Sequence, residues 1–178
     1  MSGENDMEDI EENIGKLLDR DLYTINHFVK KSLKFKKKFI EEDEFDQGER
    51  IKLNFAHTFG HAIEVVTEYT IPHGTAVAIG MIMANYISYQ RNWLSKKTQK
   101  QSENILLSVI DIDVDLLQKP ADLYISIMRK DKKQIGNSLT AVLMSDNMNN
   151  EKLSIVHDIS EEEVQNAIDY FTKLYRGV

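Results

Sequence analysis

The segment Arg50-Ile-Lys-Leu-Asn54-Phe-Ala-His57-Thr-Phe-Gly-His61-Ala-Ile-Glu64 decides how this chain is read. At about 100° per residue from Arg50, residues Asn54, His57 and His61 fall at i+4, i+7 and i+11, within one helical stripe roughly 60° wide. That spacing ordinarily marks the apolar face of an amphipathic helix. Here the stripe is polar throughout, while Ile51, Phe55, Phe59, Ala62, Ile63 and Val66 supply apolar surface elsewhere. A helix over 51–69 with such a polar seam is expected to line a cavity. An arginine, an asparagine and two histidines there can bind an anion or hydroxyls, ligate a metal and transfer protons. His57 and His61 form an HxxxH pair able to meet one metal ion from one face. Thr58 and Phe59 fill the middle where HExxH would place a glutamate, which argues against a metalloprotease.

Outward from this segment, a third histidine follows at Pro72-His73-Gly74, a break before a run rich in Ala, Ile, Met and Val. That run, 75–94, is apolar on nearly every face and reads as a buried central helix. Upstream, apolar spacing predicts a helix over 7–18 and a second over 22–40 with Leu22, Ile25, Phe28, Val29, Leu33 and Phe35 or Lys36 on its inner side. Six lysines, Lys30, Lys31, Lys34, Lys36, Lys37 and Lys38, precede six acids between Glu41 and Glu49. The alternation reads as a solvated face followed by an offsetting acidic loop, because the acids cancel a basic field within about a Debye length. Downstream, helices are expected over 96–109, 114–117 and 120–129. A small hairpin is expected over 139–157 around Ser145-Asp146-Asn147. Ser160 and Glu163 form a capping box for a last helix striped by Val164, Ile168, Phe171 and Leu174. His27 and His157 have no comparable setting and read as ordinary.

Composition agrees with a mainly α fold. The 178 residues are 42% hydrophobic and 29% charged, with two prolines and eight glycines. Residues 1–6 read as a disordered tail and 7–178 as one helical domain. Cysteine is absent, so disulfides are excluded and any metal site must use nitrogen and oxygen donors. The net charge of −7 gives no general attraction to nucleic acid or to an anionic membrane. No apolar run reaches ~18 residues, and the acidic N-terminus lacks secretory features, so a cytoplasmic location is expected.

The motifs together resemble 3-dehydroquinate synthase and the wider sugar-phosphate cyclases. They are Lys36 followed by Asp43-Glu44-Phe-Asp46-Gln-Gly48-Glu-Arg50, then Leu53 to Glu64, then His73-Gly74-Thr-Ala76-Val77-Ala-Ile-Gly80-Met81, and finally Asp131-Lys132-Lys133. The resemblance implies the mainly helical metal- and substrate-binding domain of such an enzyme, with zinc (or cobalt) and NAD as cofactors. NAD would bind through an N-terminal nucleotide-binding domain, for which no glycine-rich phosphate cradle is seen here. The implied reaction is phosphate elimination and carbocycle formation from a phosphorylated sugar acid, in aromatic amino acid biosynthesis. By the same resemblance His57 and His73 are metal ligands, and the third ligand is a glutamate upstream of the region equivalent to Met7. His61 contacts substrate and moves a proton; Arg50, Asn54, Lys36 and one of Lys132 or Lys133 contact its anionic and hydroxyl groups.

Three positions depart from the family's usual residues. Ala56 stands for a glycine, and Asp46 and Thr75 each stand for a glutamate. These departures keep open a cyclase for another sugar phosphate, of valiolone or inosose type. A non-catalytic binding descendant is the alternative from a different class; the Arg50/Asn54/His57/His61 set disfavours a polyol dehydrogenase. The expected partners are the phosphorylated substrate, a complementary NAD-binding chain or domain, and further copies of this chain. The chain alone is expected to be inactive.

Overall fold

The computed structural model describes residues 4–43, 49–130, 139–146 and 152–177. Among them are seven α-helices and one antiparallel pair of strands. The fold is mainly α with one hairpin, as the sequence implies. The chain divides into two compact units, Met1–Leu53 and Asn54–Val178.

The first unit is a helical hairpin of α1 (Glu4–Leu18) and α2 (Leu22–Glu42). Its turn is set locally. Arg20 takes a left-handed backbone (φ 59), and the Asp21 amide reaches back to the Lys16 carbonyl at 2.9 Å. Asp21 then caps α2, its carboxylate accepting from the Thr24 amide at 2.8 Å and the Thr24 hydroxyl at 2.6 Å. Lys31 crosses to Asp6 and Asp9 on α1 at 2.7 and 2.6 Å. This corrects two expectations. Glu4–Asp6, assigned to a tail, are helical, with Asp6 tied down by Lys31. Lys31 is also not simply part of a solvated run. A third correction concerns α2's inner side. Leu22, Val29 and Leu33 are exposed.

In the second unit α3 (His57–Val66) packs against α4 (His73–Gln90). Around α4 lie α5 (Lys96–Leu107), the hairpin strand β1 (Leu139–Met144) and α7 (Glu161–Arg176). A 3-10 turn at Val114–Leu117 and α6 (Ala121–Arg129) complete the helical layer. α4 buries residues on every side, including Ile79, Ile82, Met83 and Ile87, which is why it has no polar face. β1 is buried along its whole length and pairs with β2 (Leu153–Ile159), with one irregularity between Leu139 and Ala141. Ser160 and Glu163 form the expected capping box at the start of α7.

Arg91, just past α4, locks the α4 end to the β2–α7 junction. Its guanidinium donates to both oxygens of Glu163 at 2.6 and 2.9 Å, and to the Asp158 side chain at 2.8 Å and carbonyl at 3.1 Å. Burial alone would raise the Glu163 carboxyl, but Arg91 and the Ser160 amide outweigh it and hold it below its ordinary value. A depressed native carboxyl contributes stability above its unfolded value, and that contribution is lost as pH falls through the native value. The urea midpoint should therefore begin to drop below about pH 4.5. In Glu163→Gln the drop should be smaller and the midpoint at neutral pH already lower. An unchanged pH profile in that variant would count against this clamp.

Candidate metal and substrate site

The polar seam does not lie on one continuous helix. Glu49–Asn54 forms a 3-10 turn, Phe55 and Ala56 form a break, and α3 begins only at His57. Ala56 adopts a left-handed backbone, φ 67 and ψ −14. That backbone cannot continue a right-handed helix, and Phe55 and Ala56 are buried at the corner it makes. The same corner explains why glycine is the usual residue at position 56, since glycine takes φ > 0 without a Cβ penalty.

From His57 onward the helical spacing holds. His57, His61 and Glu64 stand at i, i+4 and i+7 on one face of α3. The chain then turns back through Thr67–Pro72. Glu68 and Tyr69 both have positive φ, and the Tyr69 amide donates to the Glu64 carbonyl at 2.7 Å. Buried Ile71 anchors this loop, and Pro72 leads into α4 in an extended conformation. His73, the first residue of α4, is thereby returned to the histidine face of α3.

The three imidazoles converge. Ring centroids lie 5.7 Å apart for His57 and His61, 5.6 Å for His57 and His73, and 6.0 Å for His61 and His73. His57 Nδ1 is 3.1 Å from the Phe55 carbonyl oxygen, and His73 Nδ1 is 3.1 Å from Glu64 Oε2. Among the described residues no hydrogen bond engages the ring of His61. Donor atoms of His61, Glu64 and His73 all lie within 4.8 Å of one another. Imidazole nitrogens with a carboxylate oxygen are a donor set suited to zinc or cobalt, so the residues present fit such an ion.

The remaining candidates divide between the units. Asn54 opens the second unit at the end of the 3-10 turn. Lys36 is exposed on α2, in the first unit. Arg50 is in the first unit too, its amide donating to Asp43 Oδ2 at 3.2 Å just beyond α2. Lys132 and Lys133 lie outside the described residues. Glu64 is the member of the cluster that the sequence does not single out, because its partner His73 lies on the next helix. The His61–Glu64 spacing of i, i+3 was the available signal. The histidines read as ordinary have structural partners: His157 Nδ1 meets the Thr140 hydroxyl at 3.0 Å, and His27 Nε2 is 3.5 Å from Asp9.

Comparison with known proteins agrees with the motifs. The profile of the family described as 3-dehydroquinate synthase C-terminal matches residues 1–134. A bifunctional 3-dehydroquinate synthase/phosphatase of Fusobacterium nucleatum is 33% identical over 166 residues, 93% of this chain and 24% of that protein. The 3-dehydroquinate synthase of Dictyoglomus thermophilum is 33% identical over 160 residues, covering 89% of this chain and 44% of the relative. This chain thus spans less than half the length of these relatives. In solved structures the fold recurs in a 2-epi-5-epi-valiolone synthase from Streptomyces hygroscopicus, with NAD+ and Zn2+ bound. The TM-score is 0.74 at 14% identity, over 94% of this chain and 46% of that one. No helix among the described residues is long and apolar enough to cross a membrane. With the motif-bearing segment and most of the chain inside the matched region, the protein belongs to the 3-dehydroquinate synthase C-terminal domain family.

Proposed function

We propose that this chain is the metal- and substrate-binding part of an NAD- and zinc-dependent cyclase of the 3-dehydroquinate synthase type. Its substrate would be a phosphorylated sugar acid, which loses phosphate and closes to a carbocycle. The observation that carries the reading is the convergence of His57, His61 and His73 from two helices onto one face. His57 and His73 are the metal ligands in this reading. A carbonyl and a carboxylate can only accept from an imidazole, so in this reading each Nδ1 carries the proton and Nε2 is the nitrogen that would ligate an ion. Zinc, when bound, supplies Lewis acidity toward the substrate oxygens, and NAD supplies the hydride acceptor and donor.

His61 shares the helix face and takes the substrate-facing role, holding and releasing a proton at its ring nitrogens. Arg50, Asn54, Lys36 and one of Lys132 or Lys133 bind the phosphate, carboxylate and hydroxyls, because a substrate that carries both a phosphate and a carboxylate needs several cations around it. NAD would be held by a nucleotide-binding domain of the kind that the longer relatives have room for.

The test is complementation. Mixed with the N-terminal half of the Dictyoglomus relative, NAD+ and zinc, the chain should release phosphate from the phosphorylated sugar acid that this relative uses. His61→Ala should slow that release by about 10²–10⁴-fold, the contribution of one positioned acid–base group. Release only from a different sugar phosphate would move the assignment to the valiolone- or inosose-type cyclases. Failure with every sugar phosphate and with two or more such halves would favour a binding role.

A further inference from the structure

The least expected member of the cluster is Glu64. Its side chain is only 14% exposed, in a segment otherwise flanked by apolar residues, and its Oε2 sits 3.1 Å from His73 Nδ1. The contact spans the turn between α3 and α4, from near the end of one helix to the first residue of the next. His73 lies at an exposed helix start, its side chain 56% open. A carboxylate that accepts a hydrogen bond from Nδ1–H settles both the tautomer and the ring plane. Direct ligation by Glu64 is the competing use of this oxygen, since it also lies within 4.8 Å of donor atoms on His61 and His73.

We infer that Glu64 is the positioning residue of His73: its carboxylate accepts a hydrogen bond from Nδ1–H, which keeps the proton on Nδ1 and presents the Nε2 lone pair to the metal. The metal half of this inference rests on the functional reading above; the ring half does not. His57 offers an internal comparison, because the Phe55 carbonyl plays the same part there at the same 3.1 Å. The two ligands are then held by different devices. The His57 contact is backbone and survives any side-chain change at position 55. The His73 contact depends on one side chain, so it can be removed cleanly.

The experiment uses the full chain, without metal and then with zinc. Long-range ¹H–¹⁵N spectra at pH ~8.5, about two units above the ordinary imidazole value, report which ring nitrogen carries the proton. The His73 signals are assigned by their loss in His73→Gln. In the wild-type chain His73 should be protonated on Nδ1, and in Glu64→Ala it should shift toward Nε2 protonation. Chelator competition should then find zinc about 10–100-fold weaker in Glu64→Ala, as for other outer carboxylate partners of ligating histidines. Glu64→Gln retains an accepting oxygen and should recover to within about tenfold of wild type. Wild-type His73 protonated on Nε2 would overturn the inference, and so would Glu64→Gln losing zinc as fully as Glu64→Ala, the signature of a direct ligand. The two readings fail separately. If His73 is protonated on Nδ1 and shifts in Glu64→Ala, yet no zinc binds even beside a half that carries the upstream glutamate, the function is overturned and Glu64 still stands as the group that sets the ring. Zinc binding with His73 protonated on Nε2 does the reverse.

Discussion

His73→Ala and His57→Ala should each weaken zinc binding by roughly 10²–10³-fold, whereas His61→Ala should change it by less than about tenfold. The magnitude follows from sharing the ~10–16 kcal/mol of a well-formed zinc site among four ligands, at about 1.4 kcal/mol per decade. The ordering follows from the ring nitrogens. His57 and His73 each have Nδ1 engaged by a group that can only accept, while no such partner engages His61 among the described residues. Competition against a chelator of known affinity, with each variant first checked for folding by circular dichroism, reads the three affinities. If His61→Ala lost zinc as severely as His73→Ala while His57→Ala did not, the ion would belong to the His61, Glu64 and His73 donors instead.

Gly80→Ala should destabilise the second unit by about 2–3 kcal/mol, at the upper end of what overpacking usually costs. A Cβ at position 80 would lie 2.6 Å from the Ala56 carbonyl oxygen, 3.0 Å from the Gly60 amide nitrogen and 3.2 Å from Phe59 Cβ. The two nearest atoms are backbone, and they are bonded to each other, since the Gly60 amide donates to the Ala56 carbonyl at 2.9 Å in the first turn of α3. Neither can rotate away as a flexible side-chain end could. The first turn of α3 must shift, and His57 sits in that turn, so zinc affinity should fall together with the urea midpoint. Gly74→Ala in the same helix is the control. Its added Cβ meets nothing within 4 Å, and the change should stay within about 0.5 kcal/mol. Equal midpoints for the two variants would refute the close-approach argument.

Much of this arrangement is legible in the residues because the signals are local. The α7 capping box and stripe, the all-apolar α4 and the β-rich runs of the hairpin each declare themselves over a few neighbours, and all three are present. The polar seam was legible only in part. Helical counting placed His57 and His61 together, but it carried the helix straight through Ala56. The break there comes from burial against α4 and from a left-handed residue that a sequence without its glycine does not announce. Glu64 was missed because its partner is nine residues away, across a turn whose reversal depends on two positive φ values. Leu22, Val29 and Leu33 were placed inside because periodicity shows that a helix has an apolar stripe, but not whether a neighbour covers it.

The donor groups all come from the segment His57–His73, one helix, one turn and one helix start. Bringing them together closes only a short stretch of chain, and the entropy of closure grows slowly with its length. Such near-neighbour contacts form early, on the timescale of helix growth and small-loop closure, ahead of pairings such as β1 with β2 or α4 with α7 that join distant parts of the sequence. An ion captured at that stage would act as a staple on the α3–α4 corner while the rest of the chain is still searching. Apo and zinc-loaded chains should accordingly differ in refolding rate, and not only in final stability.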